Sequence, residues 1–131
     1  MVMATPTDRR YSKTHEWIKQ LEGTTALVGI TEQAQEALGD ITFVELPKIG
    51  INVKKDGACG VIESVKAASD LNAPVSGQVV EVNRALESAP ETLNVDPWEG
   101  GWILKLANTT ADEMALLMDA AAYDAFVESE Q

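Results

Sequence analysis

The sequence predicts a mostly β fold, a sandwich or barrel of short strands with one short internal helix and a C-terminal helix. Three observations carry that expectation. Short apolar β-type runs fill the first two-thirds of the chain, broken by Gly, Pro, Asn and Asp. Turn chemistry falls between the runs, at Glu22-Gly23, Asp56-Gly57, Gly100-Gly101 and from Pro74 to Gly77. Helical periodicity is confined to two places, a balance that suits a sandwich or barrel. At 131 residues, 45% hydrophobic and 24% charged, the chain fits one domain able to bury a core.

Residues 1–10 lack apolar periodicity and read as a flexible segment ahead of a single domain over 11–131. Strands are expected at 16–20, 25–30, 41–46, 58–64, 67–72, 78–82 and 102–106. Between the second and third, Thr31 can cap a helix with Glu32 in its first turn, and Gly39 can end it in a left-handed conformation. The arms 58–64 and 67–72 converge on Val65-Lys66, which places Lys66 at a hairpin tip. The final helix, about 110–126, opens with Thr110-Ala111-Asp112-Glu113, the pattern of a capping box. Met114, Leu117, Met118 and Ala121 then recur at helical spacing. This segment has no Lys or Arg, so it suits packing on the sandwich rather than lying on a membrane. Two similar strand-turn units, Gly50-Ile51-Asn52-Val53 and Ser76-Gly77-Gln78-Val79, flank Lys66 and suggest quasi-two-fold symmetry.

A net charge of −11 repels phosphate backbones, which argues against nucleic acid as a partner. No apolar run approaches the roughly 20 residues that span a bilayer. The opening residues resemble neither a secretory signal nor a transit peptide. The cytoplasm of a bacterium is therefore expected, or the mitochondrial matrix if a transit peptide has been removed. Cys59 is the only cysteine and sits in an apolar strand, where an inert buried thiol is expected. His15 is the only histidine, so neither a Cys/His pair nor a multi-histidine metal site is available. It is expected to make structural hydrogen bonds. Gly57-Ala58-Cys59-Gly60 lacks the Lys and Ser/Thr of a phosphate loop. Nothing here assembles an active site or a metal centre.

Lys66 stands apart. It is the only Lys or Arg between Asp56 and Asn83, and it occupies a projecting point of the fold rather than a basic face. Glu63-Ser64-Val65-Lys66-Ala67, with Ser69-Asp70 and Pro74-Val75-Ser76-Gly77-Gln78-Val79, closely resembles the H protein family of the glycine cleavage system. Matching blocks recur in the family's order: His15-Glu16-Trp17, Gly29-Ile30-Thr31, Leu38-Gly39-Asp40, Phe43-Val44-Glu45-Leu46-Pro47, Asn94-Val95-Asp96-Pro97-Trp98 and Gly101-Trp102.

The resemblance implies a barrel-sandwich of the lipoyl/biotinyl type and a non-catalytic carrier bearing lipoic acid in amide linkage on Lys66. It implies a shuttle that accepts an aminomethyl group from a pyridoxal-phosphate glycine decarboxylase and delivers it to a tetrahydrofolate-dependent aminomethyltransferase. A dihydrolipoamide dehydrogenase then reoxidises the carrier. A lipoylating enzyme completes the set of partners, with Glu63 a candidate for its recognition, although a solvated hairpin carboxylate accounts for Glu63 as well. Thr14, Glu16 and Asp70 are candidates to contact the loaded amine. Glu16 and Asp70 suit a cation by charge, and ordinary strand-end and turn roles account for them equally well. Biotin carriers resemble Met-Lys-Met at the tip, where this chain has Val65-Lys66-Ala67. A biotin-type carrier and an H-like relay of octanoyl or lipoyl groups remain the alternatives.

Overall fold

The computed structural model describes residues 4–130. Among them, nine strands form two antiparallel sheets. In the larger the order is β1 (Arg10–Tyr11), β2 (Glu16–Gln20), β3 (Ala26–Ile30), β9 (Leu104–Ala107), β8 (Gly77–Val82) and β5 (Asn52–Val53). The smaller places β6 (Ala58–Ser64) between β4 (Ile41–Glu45) and β7 (Ala68–Asn72). Alternation along the strands sends one face of each sheet inward. Ile18, Val28 and Ile30 thus meet Val44, Ile62, Leu71, Val79, Leu104 and Leu106 in one buried core. The two strand-turn units that flank Lys66 in sequence pair with each other, Asn52 opposite Gln78 and Val53 opposite Gly77.

Five helices decorate the sandwich: α1 (Glu32–Leu38), α2 (Ala85–Ser88), α3 (Thr92–Val95), α4 (Ala111–Ala115) and α5 (Ala120–Ser129). Thr31 caps α1 through its hydroxyl, which accepts from Ala34 N at 3.2 Å, and Gly39 ends it at φ +78°. The expected single C-terminal helix is broken in two. Met118 leaves the helical path to exchange both backbone hydrogen bonds with Tyr11, at 2.8 and 2.9 Å. Asp119 then caps a new helix by accepting from Ala122 N at 2.8 Å. The register shifts with the break, so α5 buries Ala120 and Tyr123, and Ala121 faces solvent. The capping box at Thr110 is half made. Its hydroxyl accepts from Glu113 N, and the Glu113 carboxylate turns away to Ser76 N (2.7 Å) and Ser76 Oγ (3.1 Å).

Ordered structure also begins before Tyr11. Arg10 lies in β1, and Arg9 is buried. The Arg9 guanidinium sits 4.7 Å from the Trp17 ring centroid, donates to Trp98 O at 2.7 Å and pairs with Asp8 at 2.8 Å. A flexible segment reaching residue 10 is therefore too long at its inner end. Its first residues, 1–3, lie outside the described residues. Around Arg9 a second cluster of Tyr11, Trp17, Trp98 and Tyr123 fixes α5 to the large sheet, with Tyr11 and Tyr123 stacked 4.8 Å apart. Gly29 makes room for it. A Cβ there would fall 2.5 Å from the Trp17 indole, well inside contact distance.

Candidate functional site

The β6–β7 hairpin closes at Ser64-Val65-Lys66-Ala67, with Ser64 N donating to Ala67 O at 2.8 Å. Neither Val65 nor Lys66 has positive φ, so the mirror-image turns common in two-residue hairpins are not used. A β-branched residue such as Val65 resists those conformations. The Ser64 hydroxyl satisfies the tip instead, accepting from Lys66 N at 3.3 Å and Ala67 N at 3.2 Å.

The tip is anchored from outside as well. Val65 N donates to Asp40 O at 3.0 Å, tying the turn to the α1–β4 connection. That connection is itself clamped by Asn94 of α3. Asn94 Oδ1 accepts from Ile41 N at 2.9 Å, and Nδ2 donates to Gly39 O at 2.8 Å and Gln35 Oε1 at 2.9 Å. The stem of Lys66 folds back over this connection, its Cε 3.3 Å from where a Cβ on Gly39 would sit. Lys66 and Val65 are exposed, and among the described residues the Lys66 ammonium has no ion-pair partner. The lysine is thus free at its reactive end and fixed at its base.

The other expected residues divide. Glu63 is exposed and lies opposite Phe43 and Ala68 on the outer face of the small sheet. Thr14 and Asp70 are exposed, whereas Glu16 is only 2% exposed. The Glu16 carboxylate accepts from the hydroxyls of Ser12 (2.6 Å) and Thr14 (2.5 Å) on one oxygen and from Asn72 N (3.2 Å) on the other. Burial pushes its pKa above the ordinary carboxylate value, a shift the Ser12, Thr14 and Asn72 hydrogen bonds oppose and the charge of Asp56 reinforces. Glu16 therefore joins Thr14 to β7, two residues along from Asp70, and turns its charge inward.

His15 takes the structural part expected of it. Nδ1 is 2.7 Å from Tyr123 Oη, which in turn lies 2.7 Å from Thr31 Oγ1. Its φ of +70° is held by the turn in which His15 N donates to Ser12 O. Cys59 is buried with its thiol pushed up to about 12, first by burial and then by the Glu16 charge, so it is no nucleophile. Among the described residues no cluster of His, Cys, Asp and Glu could hold a metal ion, and no helix is long and apolar enough to cross a membrane.

The comparisons with known proteins agree with this geometry. The family model for the glycine cleavage H-protein matches residues 9–130. The chain belongs to the glycine cleavage H-protein family. The glycine cleavage system H protein of Escherichia coli O7:K1 is 51% identical over 125 residues, covering 95% of this chain and 97% of that one. The Symbiobacterium thermophilum protein of the same name is 56% identical over 121 residues, covering 92% and 94%. The crystal structure of a glycine cleavage system H protein from Mycobacterium marinum superposes with a TM-score of 0.81 at 41% identity, covering 92% of this chain and 96% of that one. As an H protein, this chain is a lipoyl carrier of the glycine cleavage system and a carrier subunit rather than a catalyst. Its family carries lipoyl-lysine. Asn94 stands within a matching block of the sequence, but its clamping part is not legible there because its three partners lie more than 50 residues away. Only the polar residue amid Leu93 and Val95 marked it.

Proposed function

We propose that Lys66 is the residue that carries the lipoyl group and that the chain shuttles an aminomethyl cargo between the glycine decarboxylase and the aminomethyltransferase. One observation carries the reading: Lys66 is the exposed lysine of a two-residue turn whose backbone is tied down on both sides. Acylation of its ammonium removes a charge that holds no ion pair among the described residues, so the fold loses nothing by it. In amide linkage to Nζ, lipoic acid would supply a disulfide as acceptor for the one-carbon cargo. Ser64, Asp40 and Asn94 hold the base of the arm still, which keeps its far end within a small volume at each docked partner.

Thr14, bonded to Glu16, and Asp70, two residues before Asn72 on β7, are exposed and meet the cationic amine. Glu16, occupied by Ser12, Thr14 and Asn72, orients the Thr14 hydroxyl and fixes β7 under Asp70. Removing it, as in Glu16→Ala, speeds loss of the bound group without preventing lipoylation. Glu63, three residues before Lys66, is offered to the lipoylating enzyme. The remaining partner is the dihydrolipoamide dehydrogenase, and the bacterial relatives favour the cytoplasm. The reading is tested by CO₂ release from glycine with purified decarboxylase. Lipoylated chain is expected to support it, and Lys66→Ala is not. Equal support from both would overturn the assignment of Lys66, and support by neither would overturn the shuttle.

A further inference from the structure

The outer face of the lysine-bearing sheet interleaves apolar and acidic side chains, with Val61 and Glu63 on the central strand β6 and Phe43 and Glu45 on β4. Strand register puts Phe43 opposite Glu63, and Glu45 opposite Val61. Val44 and Ile62 lie between them and point into the core, so these two rows face outward. Phe43 is 46% exposed, and Val65, at the end of the same sheet, is 70% exposed. Both present apolar surface to solvent. Among the described residues, the carboxylates of Glu45 and Glu63 have no ion-pair partner.

We propose that this face, where Phe43, Val61 and Val65 are interleaved with Glu45 and Glu63, is the docking surface for the enzyme that acylates Lys66. The enzyme would meet it with apolar contacts interspersed with Lys or Arg side chains. The inference rests on the reading of Lys66 as the attachment lysine. Acylation singles out this partner because the reacting atom is then Nζ itself, no farther from the tip than one lysine side chain. The enzyme must therefore touch the hairpin and the sheet that continues from it. Partners that meet a loaded arm can work from a distance. In the step served by this contact, neutral Nζ attacks an activated acyl group held by the enzyme. The amide C–N bond forms, the activating group departs with the electron pair of its bond to carbon, and Nζ releases a proton. Complementary charge around the patch would raise the encounter rate and set the register of the hairpin in the enzyme.

The test is the initial rate of lipoylation of purified unmodified chain by a lipoate–protein ligase with ATP and lipoate, followed by intact mass over a range of chain concentrations. Phe43→Ser and Glu45→Lys are both exposed changes, and thermal melts verify that each variant is folded. Each is expected to raise KM by about fivefold, the factor that roughly 1 kcal/mol represents, with kcat unchanged. High salt should shrink the Glu45→Lys effect and leave that of Phe43→Ser. Glu22→Lys makes the same charge change at the β2–β3 turn of the other sheet and should leave KM alone. A KM unmoved by Phe43→Ser and Glu45→Lys, or moved equally by Glu22→Lys, would overturn the docking face. A wild-type chain that the ligase never modifies would overturn the reading of Lys66 beneath it.

Discussion

Replacing Asn94 with Ala should loosen the base of the lysine arm from a distance. The side chain makes three hydrogen bonds to the segment that receives Val65 N through Asp40 O. Two of the abandoned groups, Gly39 O and Gln35 Oε1, belong to half-buried residues and can turn to water. Ile41 N belongs to a residue only 3% exposed, and it is the group left stranded. An unsatisfied buried donor costs about 1–3 kcal/mol. Taking about 2 kcal/mol, and roughly 4 °C per kcal/mol for a domain of this size, the melting midpoint should fall by about 8 °C. The informative readout is local. Amide hydrogen exchange should speed at Ile41 and Val65 beyond the change at Ile62 or Val79 in the core strands. If the midpoint falls and Val65 exchanges no faster than the core, Asn94 supports the fold without seating the arm, and the reasoning fails.

Two further outcomes follow from the buried polar and aromatic residues. Gly29→Ala places a methyl 2.5 Å from the Trp17 indole and must displace it, breaking the 2.9 Å bond from Trp17 Nε1 to Pro97 O. A cost of about 1–3 kcal/mol is expected, with a shift in tryptophan fluorescence. An unshifted spectrum and unchanged stability would show that the indole is not confined. Glu16 has its folded pKa raised by burial, so its contribution to stability is full below its unfolded value of 4.5 and is lost as pH rises through the folded value. Urea titrations should therefore show wild type losing stability relative to Glu16→Gln as pH rises from 4.5. A constant difference between the two across that range would contradict the burial argument.

Much of the fold could be read in the sequence because its determinants are local. The alternation of the strands, the Thr31 cap and Gly39 stop of α1, and the convergence of two β arms on Val65-Lys66 each lie within a few residues of what they determine. What could not be read depends on distant partners. The C-terminal helix breaks because Met118 pairs with Tyr11, more than 100 residues away, and Asp119 caps the helix that follows. Arg9 falls within the segment expected to be flexible and is buried because Trp17 and Trp98 flank it and Trp98 O accepts a hydrogen bond from its guanidinium. Glu16 drew attention as a charge for binding an amine, and its neighbours Ser12, Thr14 and Asn72 turn it into the chain instead. Lys66 was the most legible residue of the site because isolation and a hairpin tip are both visible in sequence, whereas the Asn94 clamp beneath it is not.

The carrier account stands or falls on Lys66, and intact mass with peptide mapping tests it most directly. The chain should be produced with lipoate and a lipoylating enzyme present. A single lipoyl increment confined to the peptide containing Lys66, and absent in Lys66→Ala, is the predicted result. An unmodified chain, a biotinyl increment, or a lipoyl group on another lysine would contradict the account.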